Sequence, residues 1–225
     1  RTVGSGGSTT TGTISFWLKR GDTSATQYLY ANSNTVSGAG FGILLSADKF
    51  YVFQYDGTSP FNPANYQINL ISSSVFRDYS AWYHFVLVID TSNGTEANRI
   101  RLYVNGIQQT LNKTGNEPTV TLSLNVPFLY NGGVSKICSD YAGGNYFGGY
   151  MAETYLIDGQ ALTPTDFGEF DEDSGVWKPI AYEGTYGTNG FFLEFQDSGA
   201  LGTDTSGNGN NFTVNNLTSI DQTTD

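Results

Sequence analysis

The chain has 225 residues, of which 21 are acidic and 10 basic, giving a formal net charge of -11 with no basic stripe. Such a surface repels phosphate backbones, which argues against a nucleic-acid partner, and no apolar run approaches bilayer length, which argues against membrane insertion. Cys138 stands alone, so neither an internal disulfide framework nor a cysteine zinc cluster is available. Gly, Ser, Thr and Asn are abundant beside 15 Tyr and 15 Phe, and this composition favours strands joined by turns. The length suits one large β domain that can bury a core without covalent staples, so 1–225 is read as a single domain. The start "RTVGSGGSTTTG" has neither Met nor the apolar core of a signal peptide, and Arg1 is read as a cut inside a longer protein.

Strands are predicted in chain order over 13–19 ("TISFWLK"), 28–31, 41–46, 49–55 and 66–71, separated by turn-rich connectors such as "SADK" and "GTSPFNPAN". From Trp82 to Ile89 both alternating faces are apolar apart from His84, the pattern of a central strand covered on two sides, with Trp82 in the core. Ile100, Leu102 and Val104 alternate with Arg99, Arg101 and Tyr103, which predicts a strand with one face buried. Asn105-Gly106 accepts the positive φ angles of a type I′ turn, so Ile107 to Leu111 should fold back as its hairpin partner. Further strands are predicted at 150–158, 191–196 and 212–214. One helical turn is expected at "LTPTDFGEF" (162–170), with Thr163 capping, Pro164 in the first position and Asp166 answering the cap. The aromatic-studded stretch 172–190 reads as an ordered crossing in which Trp177 plugs the end of the sandwich. Many short, evenly spaced strands define the fold class: an all-β, two-sheet antiparallel β-sandwich of jelly-roll type.

Four stretches carry candidate chemistry. In "SDYAGGNYFGGY" (139–150), Tyr141 and Tyr146 offer ring faces for stacking on a sugar while Asp140 and Asn145 bond its hydroxyls; glycine-permitted turns whose aromatics cover a sheet edge are the alternative. "DTSGNGNN" (204–211) places oxygen donors at alternate positions, but Asn215 stands where an EF-hand needs a bidentate Glu. It is either a hard-cation site built on Asp204 and Asn208 or a turn in which Asp204 bonds its own backbone. "GEFDEDSG" (168–175) carries Glu169 and Asp171 at a spacing that would project a glycosidase acid and nucleophile from one strand, although Gly168 and Gly175 frame a turn and favour a solvated acidic loop. His84 is the single histidine, so any serine-based triad must use it; its place inside the strongest strand favours a packed, hydrogen-bonded ring.

"ISFWLKR" (14–20), "WYHFVLVID" (82–90), "IRLYVNG" (100–106) and "GYMAETYLIDGQALTP" (149–164), in this order and spacing, resemble the concanavalin A-like jelly rolls, especially laminin G-like domains. The tail "FFLEFQDSGALGTDTSGNGNNFTVNNLTSIDQ" (191–221) looks like a segment of structural proteins of marine bacteriophages. The resemblance implies a non-catalytic carbohydrate- or surface-binding module at a virion surface, on a tail or capsid fibre. Its partners would be a cell-surface glycan or other virion proteins, and it would be homo-oligomeric, a trimer if a fibre. A purely structural virion module and a jelly-roll glycoside hydrolase are the alternatives. Related jelly rolls hold Ca²⁺ near a loop like "SGNGN", beside an acid on the strand matching "MAETYLID". That implies Glu153 as a third ligand with Asp204 and Asn208, although Ala152 stands where many relatives have a first acid.

Overall fold

A computed structural model describes residues 1–21, 26–34, 37–57, 66–114 and 122–223. The strands are β1 (Thr11–Arg20), β2 (Gln27–Ser33), β3 (Gly40–Ser46), β4 (Lys49–Tyr55), β5 (Tyr66–Ser72), β6 (Tyr83–Asp90), β7 (Ile100–Val104), β8 (Ile107–Gln109), β9 (Leu111–Lys113), β10 (Val134–Ile137), β11 (Gly149–Asp158), β12 (Gly168–Phe170), β13 (Trp177–Pro179) and β14 (Phe191–Leu193). They form a front sheet in the order β10-β2-β3-β4-β5-β9 and a back sheet in the order β14-β11-β1-β6-β7-β8, with β12 and β13 as a separate pair. Every pairing between these strands is antiparallel, as expected of a jelly roll.

Alternation places one face of each sheet in a shared interior. Ile14, Phe16 and Leu18 of β1 and Phe85, Leu87 and Ile89 of β6 meet Phe41, Ile43, Leu45, Phe50 and Val52 from the front sheet. Phe85 stacks between Phe16 and Phe50, with ring centres 5.8 and 5.1 Å away. Burying each of these rings contributes about 2–3 kcal/mol. The second apolar face of β6 is also covered: Val86 and Val88 join Tyr155, Ile157 and Phe167 in a second cluster, roofed by Tyr182 and Tyr186 from the crossing segment. The outer face of the back sheet is therefore closed by the chain itself.

The hairpin at Asn105-Gly106 forms with φ of 47° and 78°, but its returning strand ends at Gln109, and Leu111 passes into β9 of the front sheet. Trp177 lies over Gly106, where a Cβ would stand 2.5 Å from its ring, and is buried against His84 on the outer face of the back sheet instead of plugging the sandwich end. The predicted helical turn is a 3₁₀ turn, Pro164–Asp166, with both halves of the Thr163–Asp166 capping box. Three further expectations are corrected. Trp82 is only half-buried and precedes β6, which begins at Tyr83. Strand β14 ends at Leu193 rather than 196, since Phe195 turns to φ 57°. Residues 212–214 form no strand, because Phe212 is held by its ring on Phe191 and one backbone bond to Gly202.

Candidate functional site

Strand β3 reads "GFGILLS", and its two glycines explain the face opposite the core. Phe41, Ile43 and Leu45 point inward, so Gly40 and Gly42 point outward. A Cβ at Gly42 would stand 2.3 Å from the Phe53 ring, and one at Gly40 3.0 Å from Tyr55 and 3.2 Å from Tyr141. The missing side chains make a trough in which rings from neighbouring elements lie directly on the strand. On β4, Tyr51, Phe53 and Tyr55 alternate with the core residues Phe50 and Val52 and therefore share this outer face.

The result is an aromatic surface on the front sheet: Leu44, Phe53 and Tyr55 are buried at its centre, and Tyr28, Tyr51, Tyr66 and Tyr141 stay half-exposed around them. Tyr141 meets Tyr28 and Tyr55 edge to face, with centres 5.9 Å apart in both pairs. Phe53 contacts Tyr28, Tyr55 and Tyr66 at 6.0, 6.4 and 6.0 Å. The Tyr141 hydroxyl is coupled to those of Tyr28 and Tyr55. Burial, reinforced by those two neighbours, raises its ionisation well above the ordinary phenol value, so all three hydroxyls stay protonated.

The loop between β10 and β11 delivers Tyr141 to this surface. Asp140 Oδ1 accepts the Gly144 amide at 2.8 Å and Oδ2 accepts Asn145 Nδ2 at 2.6 Å, while the Tyr28 amide donates to the Asn145 carbonyl at 2.8 Å. Burial alone would raise the Asp140 carboxyl, but the bonds from Gly144, Asn145, Ala142 and Gly143 outweigh it and hold the group below its ordinary value. Lys136 Nζ donates to the Tyr141 carbonyl at 2.9 Å. Asp140 and Asn145 thus brace the loop and Tyr141 joins the aromatic surface. Tyr146 is the exposed member of the set, its hydroxyl donating to the Gly143 carbonyl. Sequence reasoning missed Tyr28, Phe53, Tyr55 and Tyr66. The signal lay in "KFYVFQY", where the face opposite Phe50 and Val52 is aromatic at Tyr51, Phe53 and Tyr55 after the leading Lys49.

The other predicted groups lie elsewhere. Asp204 is buried; its Oδ1 accepts the amides of Phe192 and Ser206 and its Oδ2 that of Asn210. Asn208 Nδ2 donates to the carbonyls of Gly187 and Gly190, and Asn210 Nδ2 to those of Thr188 and Gly190. Glu153 is the extra residue of a bulge against β1, at φ 44°, and its charged neighbour is Glu194. No cluster of three or more His, Cys, Asp or Glu that could hold a metal occurs among the described residues. A carboxylate already saturated by three amides, with asparagines that donate, does not fit a calcium site; it fits a self-satisfied turn.

Glu169 and Asp171 are both paired to Lys178, at 3.3 and 3.1 Å, on the exposed β12–β13 hairpin. The Ser174 amide and hydroxyl, then Lys178, hold the Asp171 carboxyl down to about 2, the opposite of what a general acid requires. His84 Nδ1 accepts the Trp177 indole N–H at 2.9 Å and its Nε2 is 2.8 Å from Ser15 Oγ.

Residues 3–166 match the family model described as the concanavalin A-like lectin/glucanases superfamily, and the chain belongs to that family. No curated protein matches the chain in sequence. Similar solved structures include domain 4 of AbnA, an extracellular arabinanase from Geobacillus stearothermophilus, in complex with arabinotriose (12% identity, 70% of this chain and 65% of that one, TM-score 0.46). Another is the CBM40 of the Ruminococcus gnavus IT-sialidase bound to α2,3 sialyllactose (13%, 69% and 78%, 0.46). A leech intramolecular trans-sialidase is a third (19%, 71% and 23%, 0.47). The chain thus spans just under two thirds of the arabinanase domain and about a quarter of the trans-sialidase.

Proposed function

We propose that the protein is a non-catalytic carbohydrate-binding module whose ligand lies on the aromatic outer face of the front sheet. The observation that carries this reading is the half-exposed ring of Tyr28, Tyr51, Tyr66 and Tyr141 around a Gly40–Gly42 trough. Rings held rigidly by one another offer flat apolar area to the C–H faces of a sugar at little entropic cost, and protonated phenols both donate to and accept from its hydroxyls. The back sheet has no such opening, since Phe167, Trp177, Tyr182 and Tyr186 cover it. Membership in a superfamily of lectins and glucanases agrees with a glycan ligand, and the Lys178-paired acids offer no hydrolytic dyad.

A flat site of this kind binds weakly, with single-site dissociation constants on the order of 0.1–1 mM, so useful avidity requires several copies. The resemblance of the tail to phage structural proteins supports a setting that supplies them: a virion surface, where repeated copies attach to host glycans. The test is titration calorimetry against a panel of oligosaccharides with the native chain and with Tyr28→Ala and Tyr141→Phe. Tyr28→Ala should weaken binding about 5- to 10-fold through the lost ring, and Tyr141→Phe, which keeps the ring, about 3- to 5-fold. Unchanged affinity in both folded variants would move the site elsewhere.

A further inference from the structure

Resting on that reading, we infer that the aromatic site selects neutral glycans and rejects their sialylated, uronic or sulfated counterparts. Recognition of a sugar carboxylate or sulfate needs a cation at the site, most effectively an arginine whose planar fork meets two oxygens at once. The chain has ten basic side chains, and all of them lie within the described residues. Arg1 sits between the rings of Phe191 and Phe212, and Lys19 over Tyr150. Arg20 and Arg77 pair with Asp48, Lys113 with Glu96, and Lys178 with Glu169 and Asp171. Arg99 donates to the carbonyls of Asn93 and Leu122, and Arg101 stands on β7 of the opposite sheet.

Two lysines remain on the side of the site. Lys49 shares the outer face of β4, two residues from Tyr51 at one end of the aromatic surface and six residues, roughly 20 Å along the strand, from Tyr55 at the other. Lys136 is near, with its ammonium donating to the Tyr141 carbonyl, but the ionised Asp140 lies in the same loop and the exposed Asp56 follows Tyr55 directly. With Lys49 the charges beside the surface balance, two positive and two negative, and neither lysine presents a planar fork, on a chain whose total is -11. A carboxylate or sulfate brought onto the rings would lose its water shell without gaining a fork of donors, and would meet repulsion from the net charge of the whole chain. Phenol and amide groups suit the hydroxyls of an uncharged sugar.

Matched glycans that differ only in charge separate this inference from the proposal beneath it. Immobilised native protein is offered lactose and 3′-sialyllactose, xylan and glucuronoxylan, and dextran and dextran sulfate, each at low and at high salt. The expected result is that every pair showing binding favours its neutral member at least 10-fold in low salt, with the gap narrowing as salt screens the repulsion. A charged member that binds as tightly as its neutral partner, or more tightly, overturns the neutral-sugar selectivity and leaves the carbohydrate site standing. Absence of binding to every neutral and charged member, extended to a broad glycan panel, overturns both.

Discussion

Nδ1 of His84 accepts a hydrogen bond from the Trp177 indole, which can only donate, so the neutral ring carries its proton on Nε2 and donates a hydrogen bond to Ser15 Oγ. A serine that accepts from the imidazole cannot be deprotonated by it, and the one histidine is thereby fixed in a structural role. Burial lowers the His84 pKa to about 3, so the folded ring stays neutral while the unfolded ring protonates below its ordinary value of about 6.5. The folded pKa is the depressed one. The stabilisation is therefore complete above about 6.5 and is lost as pH falls from there towards 3, at about 1.4 kcal/mol per pH unit on the steepest part. Melting curves of the native chain and His84→Gln at pH 7.5, 6.0 and 4.5 should converge as pH falls, because only the native chain carries this acid sensitivity. Curves that stay parallel would mean the ring titrates in the folded state. Glu153 runs the other way: burial first, then Glu194, raise its carboxyl. A raised carboxyl stabilises below its unfolded pKa and the stabilisation is lost as pH rises through the folded one. Glu153→Gln should therefore melt higher than the native chain at pH 8 and match it at pH 4, and the reverse order would show that Glu153 has a cationic partner.

"DTSGNGNN" shows how an element can be specified by one acid. The segment lies beside β14 and the 187–190 turn because Asp204 gathers three amides and Asn208 and Asn210 tie down three carbonyls. Asp204→Ala should cost about 2–3 kcal/mol, since buried amides lose a charged acceptor, whereas Asp204→Asn should cost less than half of that by keeping one oxygen in place. Chemical denaturation reads the difference, and equal costs would sink this account. The same element marks the limit of sequence reading. Its residues fit a cation loop and a self-bonded turn equally well on spacing, and only the direction of the asparagine amides separates the two. The predicted strands fared differently because period-two alternation is a local property. Strands β1, β4, β6 and β7 were all legible from their own residues, whereas β14 and 212–214 were overextended because apolar side chains there pack without a ladder. The proposed binding surface was half legible. Asp140, Tyr141 and Asn145 came from one loop, but Tyr28, Phe53 and Tyr66 reach it only through the successive pairings β2–β3, β3–β4 and β4–β5, a register that no single segment announces.

The whole molecule treats its two outer faces unequally, and that asymmetry sets what should govern its stability and its binding. The back sheet is sealed by the chain's own crossing segment, anchored where Trp177 meets His84 and Phe167 meets Tyr155, and is part of the folded core. The front sheet leaves tyrosines half-exposed, held by glycines, by one another and by a loop that Asp140 closes from within. Of the acids weighed as sites, Asp204 is held by three amides and Asp171 is paired with lysine. Calcium would have to displace hydrogen bonds worth about as much as it could return, so it should add little to the fold. A site occupied at 100 times its dissociation constant would raise stability by about 2.7 kcal/mol and the melting midpoint by several degrees. Chelator-treated protein should instead melt within about 1 °C of protein in millimolar Ca²⁺, an increment of at most a few tenths of a kcal/mol for a chain of this size. A rise of several degrees that disappears in Asp204→Ala would show that the loop reorganises around the ion. The glycan titrations would then have to be repeated with calcium present.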